Sequence, residues 1–520
     1  MDRLVDKIAA ASAPASDLPA PGPRPVPALR IPVDFSAPDS GIGELTWGQM
    51  EIWLGMTRQG WLHLGGMKPL PAGTTLLEIV DELRYLMTRY PSMRTRLRFD
   101  ARQRPTQQLF NSGEITLEVF DTGYMCPSEA DKFDADVVTT CPSEADETAA
   151  AVLADYDATS RDFAGEWPVR MAVVRHRGEL THMVVLMCHL VTDGVGAQVM
   201  LREVAVRERA PVTGPQQLEL ARWQCSEAGQ RHNAAALRHW EKILRSLPRT
   251  PYPVSDDWRE PRHWSGEYSS PALYLAVPEI AERTQTDSSS VLMALYAIAL
   301  GRRGVLNPAV IRPLVHNRFR SRLTDVVCTL VQSGISVLDV TDLTVDEAVR
   351  RARRASMSAN KFAYFDPEQM AELFERVARE RGPQFGTTSF FNDRRAEESR
   401  ARTGPPTASP TAAPITPRRL REVLANSSFR WFGKKRNPFE RLFLHVDDGP
   451  ESIVLTVCAD THHISPADIE GLARDMETIA VEAAFDPVAP TRVAVPILGT
   501  DVTTSGDVPG PADVTVVAHA

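Results

Sequence analysis

The chain has few cysteines and no long apolar run. Its six cysteines among 520 residues include no CxxC pair and no His/Cys cluster, so neither a zinc site nor a disulfide framework is predicted. No run of about 18 apolar residues occurs, so no membrane-spanning helix is expected. The opening residues, Met1 to Asp6, are charged and lack the apolar stretch of a signal peptide. These absences predict a soluble cytoplasmic protein that holds no metal.

Basic charge and phosphate-binding loops are also lacking. The formal net charge is -9, whereas a nucleic-acid binder needs a basic surface to neutralise phosphates. The sequence contains no GxGxxG fingerprint, no Walker lysine loop and no adenylation-type phosphate loop. We therefore expect no nucleic-acid partner and no activation of an acid with ATP, so any acyl group must arrive already activated. The hydrophobic content of 43% suffices for two substantial cores.

The segment CHLVTDG, residues 188–194, combines several chemically useful groups. It follows the apolar run 183–187, which predicts a buried strand, and precedes a helix predicted over 195–208. Asp193, or the threonine before it, can cap that helix. His189 would then lie at a strand end, where a neutral imidazole can take a proton from an attacking amine or hydroxyl near pH 7. The alternative is a packed, hydrogen-bonded core histidine.

This segment resembles the HHxxxDG motif of the condensation-domain superfamily. That group includes the condensation domains of nonribosomal peptide synthetases, carrier- or CoA-dependent acyltransferases and chloramphenicol acetyltransferase. Cys188 replaces the first histidine of the pair, and His189 matches the second, which carries the catalysis in the family. Neighbouring residues of a strand point to opposite faces, so Cys188 and His189 are not expected to share a site.

Further segments resemble the family's motifs in their order along the chain. In the opening motif a Gln and a Trp lie four residues apart, as Gln49 and Trp53 do here. The order and spacing hold from about residue 41 to about residue 490, so the resemblance covers most of the chain. The matching segments are 45–53, 90–97, 162–170, the "yWxxxL"-like 239–244, the apolar helix 291–300, the strand-like 310–315 and Asn317-Arg318.

The resemblance implies an α/β fold with two chloramphenicol acetyltransferase-like (CAT-like) subdomains, which form a V-shaped pseudo-dimer with a central channel. A monomer is expected, since such a fold is a pseudo-dimer in itself. The segment CPSEAD occurs twice, at 126–131 and 141–146, and is interpreted as a duplicated surface loop. The predicted organisation is a flexible N-terminal arm at 1–40, an N-terminal subdomain with the HxxxDG motif at 41–210, a C-terminal subdomain at 211–497 with a Pro-rich insertion near 400–417, and a flexible tail at 498–520.

The resemblance also implies a structural partner for Asp193. In the family this aspartate is mainly architectural and pairs with an arginine from the other half of the domain. By its spacing Arg318 is the best candidate, and Arg320 is the second. Counting on from Arg318, the family's "IGxFvNT" segment falls on residues 327–333. There its glycine, asparagine and threonine are replaced by Cys328, Gln332 and Ser333.

The predicted catalytic residues are His189 as general base, Asp193 and Gly194. Gly194 either lets the substrate approach closely and helps to hold the thioester oxyanion, or simply permits the turn. Cys188, Gln332 and Ser333 are possible channel-lining residues.

Three functions are compatible with the resemblance. The first is a stand-alone condensation enzyme of natural-product (for instance antibiotic) biosynthesis. This acyltransferase would join an acyl or aminoacyl thioester on an acyl or peptidyl carrier protein to the amine or hydroxyl of a small-molecule or carrier-bound acceptor. It would bind no cofactor, because the phosphopantetheine belongs to its substrate. The second is an acyl-CoA-dependent acyltransferase of the same fold. The third is a non-catalytic domain that recruits partner enzymes, which the departures at Cys188, Cys328 and Gln332 keep open.

Overall fold

The computed structural model describes residues 24–59, 62–123, 143–159, 161–247, 254–320, 322–382, 389–395, 415–435 and 440–494. The predicted tail, most of the Pro-rich insertion and the first CPSEAD copy lie outside these residues. The described residues divide into two compact units. One runs up to Gln230 and includes His316–Val331, and the other holds Arg231–Val315 and the residues after Val331.

The first unit contains a five-stranded sheet in the order β1-β6-β7-β8-β3, in which β6 and β7 are parallel and the other neighbours antiparallel. A small antiparallel sheet has the order β2-β5-β4. The elements are β1 (Leu29–Ser36), β2 (Gly41–Glu44), α1 (Trp47–Gln59), β3 (His63–Pro69), α2 (Leu76–Arg89), β4 (Thr95–Phe99), β5 (Pro105–Leu109), β6 (Ser112–Thr122), α3 (Glu144–Ala158), β7 (Val169–His176), β8 (Glu179–Cys188), α4 (Gly194–Val206) and α5 (Gln217–Cys225).

Strand β8 leads directly into the CHLVTDG segment. It lies between β7 and β3 in the sheet. Met183 and Met187 pack on one face in a cluster with side chains of α2 and α4, whereas Val184 and Leu186 pack on the other face with side chains of α3. Burial on both faces explains why this strand reads as a continuous apolar run. The predicted strand and the helix after it are confirmed as β8 and α4.

The predicted N-terminal arm is wrong for residues 29–36, which form strand β1. This strand pairs antiparallel with β6 at the edge of the sheet. Val33 and Phe35 are buried while their neighbours are more exposed. Pro32 is compatible with the strand because an edge strand has one side that needs no ladder hydrogen bonds.

The first unit also extends beyond the boundary predicted at residue 210. Helix α5 packs on β2, where Leu218 covers Gly41 and Gly43. An added Cβ at these glycines would lie 3.1 and 3.0 Å from the Leu218 side chain. The turn-rich composition near 210 therefore marks a loop within this unit rather than its end. The CAT-like character of each half and their V-shaped arrangement stay predictions.

The second unit contains a larger mixed sheet in the order β11-β10-β13-β15-β16-β9-β14, with β12 paired to β10. The predicted helix 291–300 and strand 310–315 are confirmed as parts of α8 and β10. The elements are α6 (Glu227–Ser246, which starts in the first unit), β9 (His263–Ser270), α7 (Pro271–Thr284), α8 (Ser288–Arg302), β10 (Ala309–Val315), β11 (Gln332–Ser333), β12 (Ser336–Leu338), α9 (Val345–Phe362), α10 (Pro367–Arg381), β13 (Ser389–Asp393), α11 (Pro417–Leu424), β14 (Ser428–Lys435), β15 (Leu442–Gly449), β16 (Ser452–Asp460) and α12 (Pro466–Ala484).

The core of the second unit is built around α8. Every residue from Val291 to Leu300 is buried, and side chains of α7, α9 and α12 belong to the same cluster. A helix that is buried on all sides is apolar all round, as α8 is. The two units have separate hydrophobic clusters, so each has a core of its own. Within the described ranges, no helix is long and apolar enough to cross a membrane, and no three His, Cys, Asp or Glu side chains group as a possible metal site.

Candidate active site

His189 is the first residue after β8, and its side chain is 2% exposed. It lies in a turn, which the hydrogen bond from the N–H of Val191 to the carbonyl of Cys188 closes at 2.9 Å. Its N–H donates to the carbonyl of Leu62 at 2.9 Å, and its carbonyl accepts a hydrogen bond from the hydroxyl of Thr329. The backbone of His189 is therefore held from two sides, which fixes where its side chain starts.

The environment favours the neutral form of His189. Burial lowers the pKa of the imidazole below its ordinary 6.5, and the Asp193 carboxylate and the residue's own carbonyl oppose this only in part. Nδ1 is buried. A neutral imidazole has one unprotonated nitrogen, which can accept a proton from a nucleophile.

His63 is a neighbour of this site that the sequence did not indicate. It lies opposite Cys188 in the β3–β8 register, and its Nε2 is 2.5 Å from Oδ1 of Asp157. Charge on His63 further lowers the pKa of His189. Only the pairing of β3 with β8 brings the two histidines together, and no sequence pattern announces that pairing.

Gln49 of the opening motif supports the loop that follows His189. Its Nε2 donates to the carbonyl of Leu190 at 3.1 Å, and its Oε1 accepts from the N–H of Thr46 at 3.0 Å. Within the motif-like segment 45–53, Gln49 thus supports the backbone next to His189.

Cys188 lies in an apolar cluster, fully buried beside Met56, Leu97 and Leu190. Its sulfur is 3.8 Å from that of Met56. Burial raises the pKa of the Cys188 thiol to about 12, so the thiol stays protonated. Hydrophobic side chains surround Cys188, and its role in lining a channel stays a prediction.

Asp193 caps helix α4 and joins it to the 316–331 segment. Its Oδ1 accepts from the N–H of Gly196 at 2.9 Å, and its Oδ2 accepts from the N–H groups of Leu330 and Val331 at 2.8 and 3.0 Å. Burial raises the pKa of the carboxyl, but the charge and hydrogen bonds of Arg318 and these N–H groups more than offset it, so the pKa lies below 3.8. These contacts position the backbone near His189.

The structure brings Arg318 and Asp193 together. Nη1 of Arg318 lies 2.7 Å from Oδ1 and 2.9 Å from Oδ2 of Asp193, and both side chains are at most 3% exposed. Arg318 also donates to the carbonyl of Val326 at 2.9 Å. Arg320, the second candidate, donates to the side chain of Asn317 instead. The buried pair therefore attaches the 316–331 segment to the helix that carries the motif.

Cys328, which replaces a glycine of the family pattern, fits the same segment. Its carbonyl accepts from Arg318 at 2.9 Å. Burial raises the pKa of its thiol to about 12. The replacement is accommodated by an apolar cluster that also contains Leu220, Leu323, Val326 and Leu330.

Gln332 and Ser333 lie on β11 in the second unit and are 2% and 0% exposed. The Gln332 amide donates to the carbonyl of Phe365 at 3.0 Å and accepts from its N–H at 3.2 Å. The Ser333 hydroxyl accepts from the buried Arg312. Their polar groups bind neighbouring protein groups, and the role of these two residues in lining a channel stays a prediction.

Gly196 is a site residue that the sequence analysis missed. An added Cβ would lie 2.2 Å from Oγ1 of Thr192 and 2.6 Å from Nη2 of Arg318. Glycine at this position therefore makes room for the guanidinium that binds Asp193. The GVG spacing of 194–196 was the available signal, but the steric reason is visible only once Arg318 is in place.

We expect Gly196→Ala to lower the free energy of unfolding by about 1–3 kcal/mol, since the methyl group overpacks a buried ion pair. Gly194→Ala is the matched control, because a Cβ there meets no atom of the described residues within 4 Å. Its stability should stay within about 0.5 kcal/mol of wild type. Urea unfolding followed by circular dichroism measures both, and equal stability of the two variants would contradict the steric account.

The family comparison agrees with the motif order. The model of the condensation domain matches residues 78–414, which is more than half of the chain. A curated relative, the bassianolide nonribosomal cyclodepsipeptide synthetase of Beauveria bassiana, is 23% identical over 236 residues. That match covers 42% of this chain and 7% of the synthetase, so the chain corresponds to a small part of the synthetase's length.

Solved structures share the fold at low sequence identity. The condensation domain of the Monacolin K polyketide synthase MokA has a TM-score of 0.64 at 14% identity, over 87% of this chain and 100% of that one. The X-domain from teicoplanin biosynthesis scores 0.63 at 16%, over 87% and 97%. The SgcC5 protein of Streptomyces globisporus scores 0.58 at 17%, over 86% and 100%. The predicted α/β fold of the CAT-like type is confirmed. Together with the family match, this shows that the chain belongs to the condensation-domain family.

Proposed function

We propose that this chain joins an acyl or aminoacyl group, carried as a phosphopantetheine thioester, to an amine or hydroxyl acceptor. The acceptor nitrogen or oxygen bonds to the thioester carbonyl carbon, and the C–S bond breaks. The acceptor's proton passes to His189 and from there to the leaving thiolate, so the products are an amide or ester and a free thiol. Membership of the condensation-domain family supports this class of reaction.

The observation that carries the proposal is the state of His189. A general base must be neutral at the working pH and must have a nitrogen free to accept a proton. Burial supplies the first condition through the lowered pKa, and a neutral imidazole always has one unprotonated nitrogen, which meets the second. Since Asp193 is occupied by Arg318 and backbone N–H groups, its proposed role is to position the residues around the base rather than to exchange protons.

Gly194 is proposed to admit the substrate. Nothing among the described residues requires glycine there, because a Cβ would meet open space and the backbone is not left-handed. This weakens the alternative that Gly194 simply permits the turn. The first N–H groups of α4 lack intrahelical partners, and one of them could donate to the oxyanion. Gly194→Ala should then lower turnover at unchanged stability, whereas unchanged turnover would favour the turn alone.

Turnover should fall at acid pH with an apparent pKa below 6.5. The neutral imidazole is the active base, and burial favours that form, so protonation sets in at a lower pH than for an exposed histidine. The kcat/KM of the best donor and acceptor, measured between about pH 4.5 and 8, reports the free enzyme. An acid limb at or above 6.5, with circular dichroism showing intact protein at each pH, would contradict the account.

The donor is proposed to be bound to an acyl or peptidyl carrier protein. Several structural relatives come from peptide and polyketide synthetases, which supports this choice over acyl-CoA. We would offer the same acyl group on a carrier protein and on CoA, with a panel of amines and alcohols, and detect products by mass. Preference for the carrier supports the proposal, and preference for CoA supports the acyl-CoA-dependent alternative. That the chain acts apart from other modules stays a prediction.

Recruitment of a partner enzyme is the second candidate function. It is favoured by the likeness to the X-domain of teicoplanin biosynthesis, which is known in a complex with OxyB at a TM-score of 0.61 and 15% identity. The buried, neutral His189 favours catalysis instead, because a surface that recruits a partner has no need of a buried base. Acyl transfer from any donor that is lost in His189→Ala would show that the chain is an enzyme.

A further inference from the structure

The first unit contains an apolar cavity beside the candidate active site. It encloses about 80 Å³ between the sheet and helices α2 and α4. Most of its lining is aliphatic or methionine, with Lys68 and Glu82 as the charged lining residues. Gly65 and Gly66 of β3 contribute bare backbone there, and a Cβ on Gly65 would lie 2.0 Å from the carbonyl oxygen of Val185. Glycine at position 65 is thus required by the close approach of the β8 backbone.

The cavity and His189 are both positioned by strand β8. Met183, Val185 and Met187 of β8 line the cavity. His189 follows Met187 by two residues and lies in the turn that the hydrogen bond from Val191 N–H to the Cys188 carbonyl closes at 2.9 Å. Two residues of chain span at most about 7 Å, so the backbone of His189 lies close to the Met187 end of the cavity.

The cavity and the motif also share helix α4. Ala197, Met200, Leu201 and Val204 line the cavity, and their spacing of three, one and three residues places them on one side of the helix. This helix begins at the cap formed by Asp193. The same two elements, β8 and α4, therefore position both the base and the apolar wall.

The size and chemistry of the cavity select an occupant. A cavity needs about 10–15 Å³ to hold one water molecule, so 80 Å³ holds about six atoms of similar size. An apolar space of this kind favours a hydrocarbon over water. Methionine side chains are flexible and adapt to an inserted chain. The lining comes from strands β3, β7 and β8 and from helices α2 and α4, so side chains from several elements would contact an inserted chain.

We propose that this cavity binds the hydrocarbon chain of the donor, a saturated acyl group of about six carbon atoms whose thioester lies at His189. The inference rests on the proposed function, since it assigns the acyl donor of the same reaction. It also gives the methionine-rich face of β8 a role in donor selection.

The test uses S-alkyl pantetheine thioethers, which cannot be turned over, and calorimetry on the full chain. From S-ethyl to S-hexyl the affinity should rise about fourfold for each methylene buried, and it should level off for longer chains. Val204→Phe fills the cavity and should abolish this dependence on chain length. Val206→Phe is the matched control on the same helix, where the side chain is 66% exposed, and it should keep the dependence.

A second variant guards against misfolding of Val204→Phe. Met183→Ala enlarges the cavity and should move the levelling-off to longer chains. An affinity independent of chain length in the wild type, or the same dependence in Val204→Phe as in Val206→Phe, would overturn the inference.

Failure of the proposed function gives a different result. If binding depends on chain length but no donor is turned over, the proposed reaction is contradicted and the cavity assignment is supported. If acetyl and hexanoyl donors are transferred equally well and the affinity does not change with chain length, the cavity assignment is contradicted and the proposed reaction is supported.

Discussion

Replacing His189 by alanine should lower kcat by about 10²–10⁴-fold, the usual contribution of a general base, and leave the protein folded. The hydrogen bonds that fix the position come from the backbone of His189 and survive the substitution. Release of the free thiol from the preferred donor measures kcat, and circular dichroism with thermal melting checks the fold.

Cys188→Ala is the matched control for this substitution. Cys188 is the preceding residue and is equally buried, but it packs among apolar side chains and its thiol stays protonated. We expect turnover close to wild type, with a modest loss of stability from the space left behind. An equal loss of activity in both variants would show that disturbance of the packing, rather than loss of the base, lowers the rate.

Asp193→Ala should destabilise the first unit by about 3–5 kcal/mol, because it leaves the buried charge of Arg318 without its partner. The same change removes the acceptor for the N–H groups of Gly196, Leu330 and Val331. Urea unfolding measures the loss. Reduced activity should accompany reduced stability, and a folded, fully stable but inactive variant would contradict the positioning role.

Asp325→Ala is the control that separates this pair from ordinary ion pairs. Asp325 binds Arg202 at 2.8 Å and thereby also joins the 316–331 segment to α4, but the two side chains are 41% and 64% exposed. Such a surface pair contributes about 0–1 kcal/mol. Combining Asp193→Ala with Arg318→Met should restore part of the lost stability, since the second change removes the unpaired charge.

The sequence predicted the parts of the site that depend on local pattern. The apolar run before residue 188 gave strand β8, and the aspartate before the glycine gave the start of α4. The resemblance selected Arg318 by spacing, and the structure places its guanidinium on Asp193. These features share a cause, since strand burial and helix capping act over a few residues.

Features that depend on tertiary neighbours were not predicted. The need for glycine at Gly196 arises from Thr192 nearby and from Arg318, which is more than a hundred residues away in sequence. The hydroxyl of Thr329 reaches the carbonyl of His189 over a similar separation. Gln332 was interpreted by its difference from the family pattern, whereas its amide serves the backbone of Phe365. Residue type alone does not reveal which partner a polar side chain finds.

Strand β1 shows a different reason for failure. The composition of the N-terminal region suggested an unstructured arm, yet residues 29–36 alternate between buried and exposed positions. Pro32 obscured this period of two, although an edge strand accommodates proline. Composition averaged over thirty residues hid a pattern that extends over eight.

The most direct test of the account is a single-turnover transfer experiment. A stoichiometric acyl-loaded carrier protein is mixed with the chain and its acceptor, and the product is followed by intact mass in wild type and in folded His189→Ala. The account predicts rapid acyl transfer by wild type and transfer slowed by about 10²–10⁴-fold in the variant. Equal single-turnover rates in the two proteins would contradict the claim that His189 is the base.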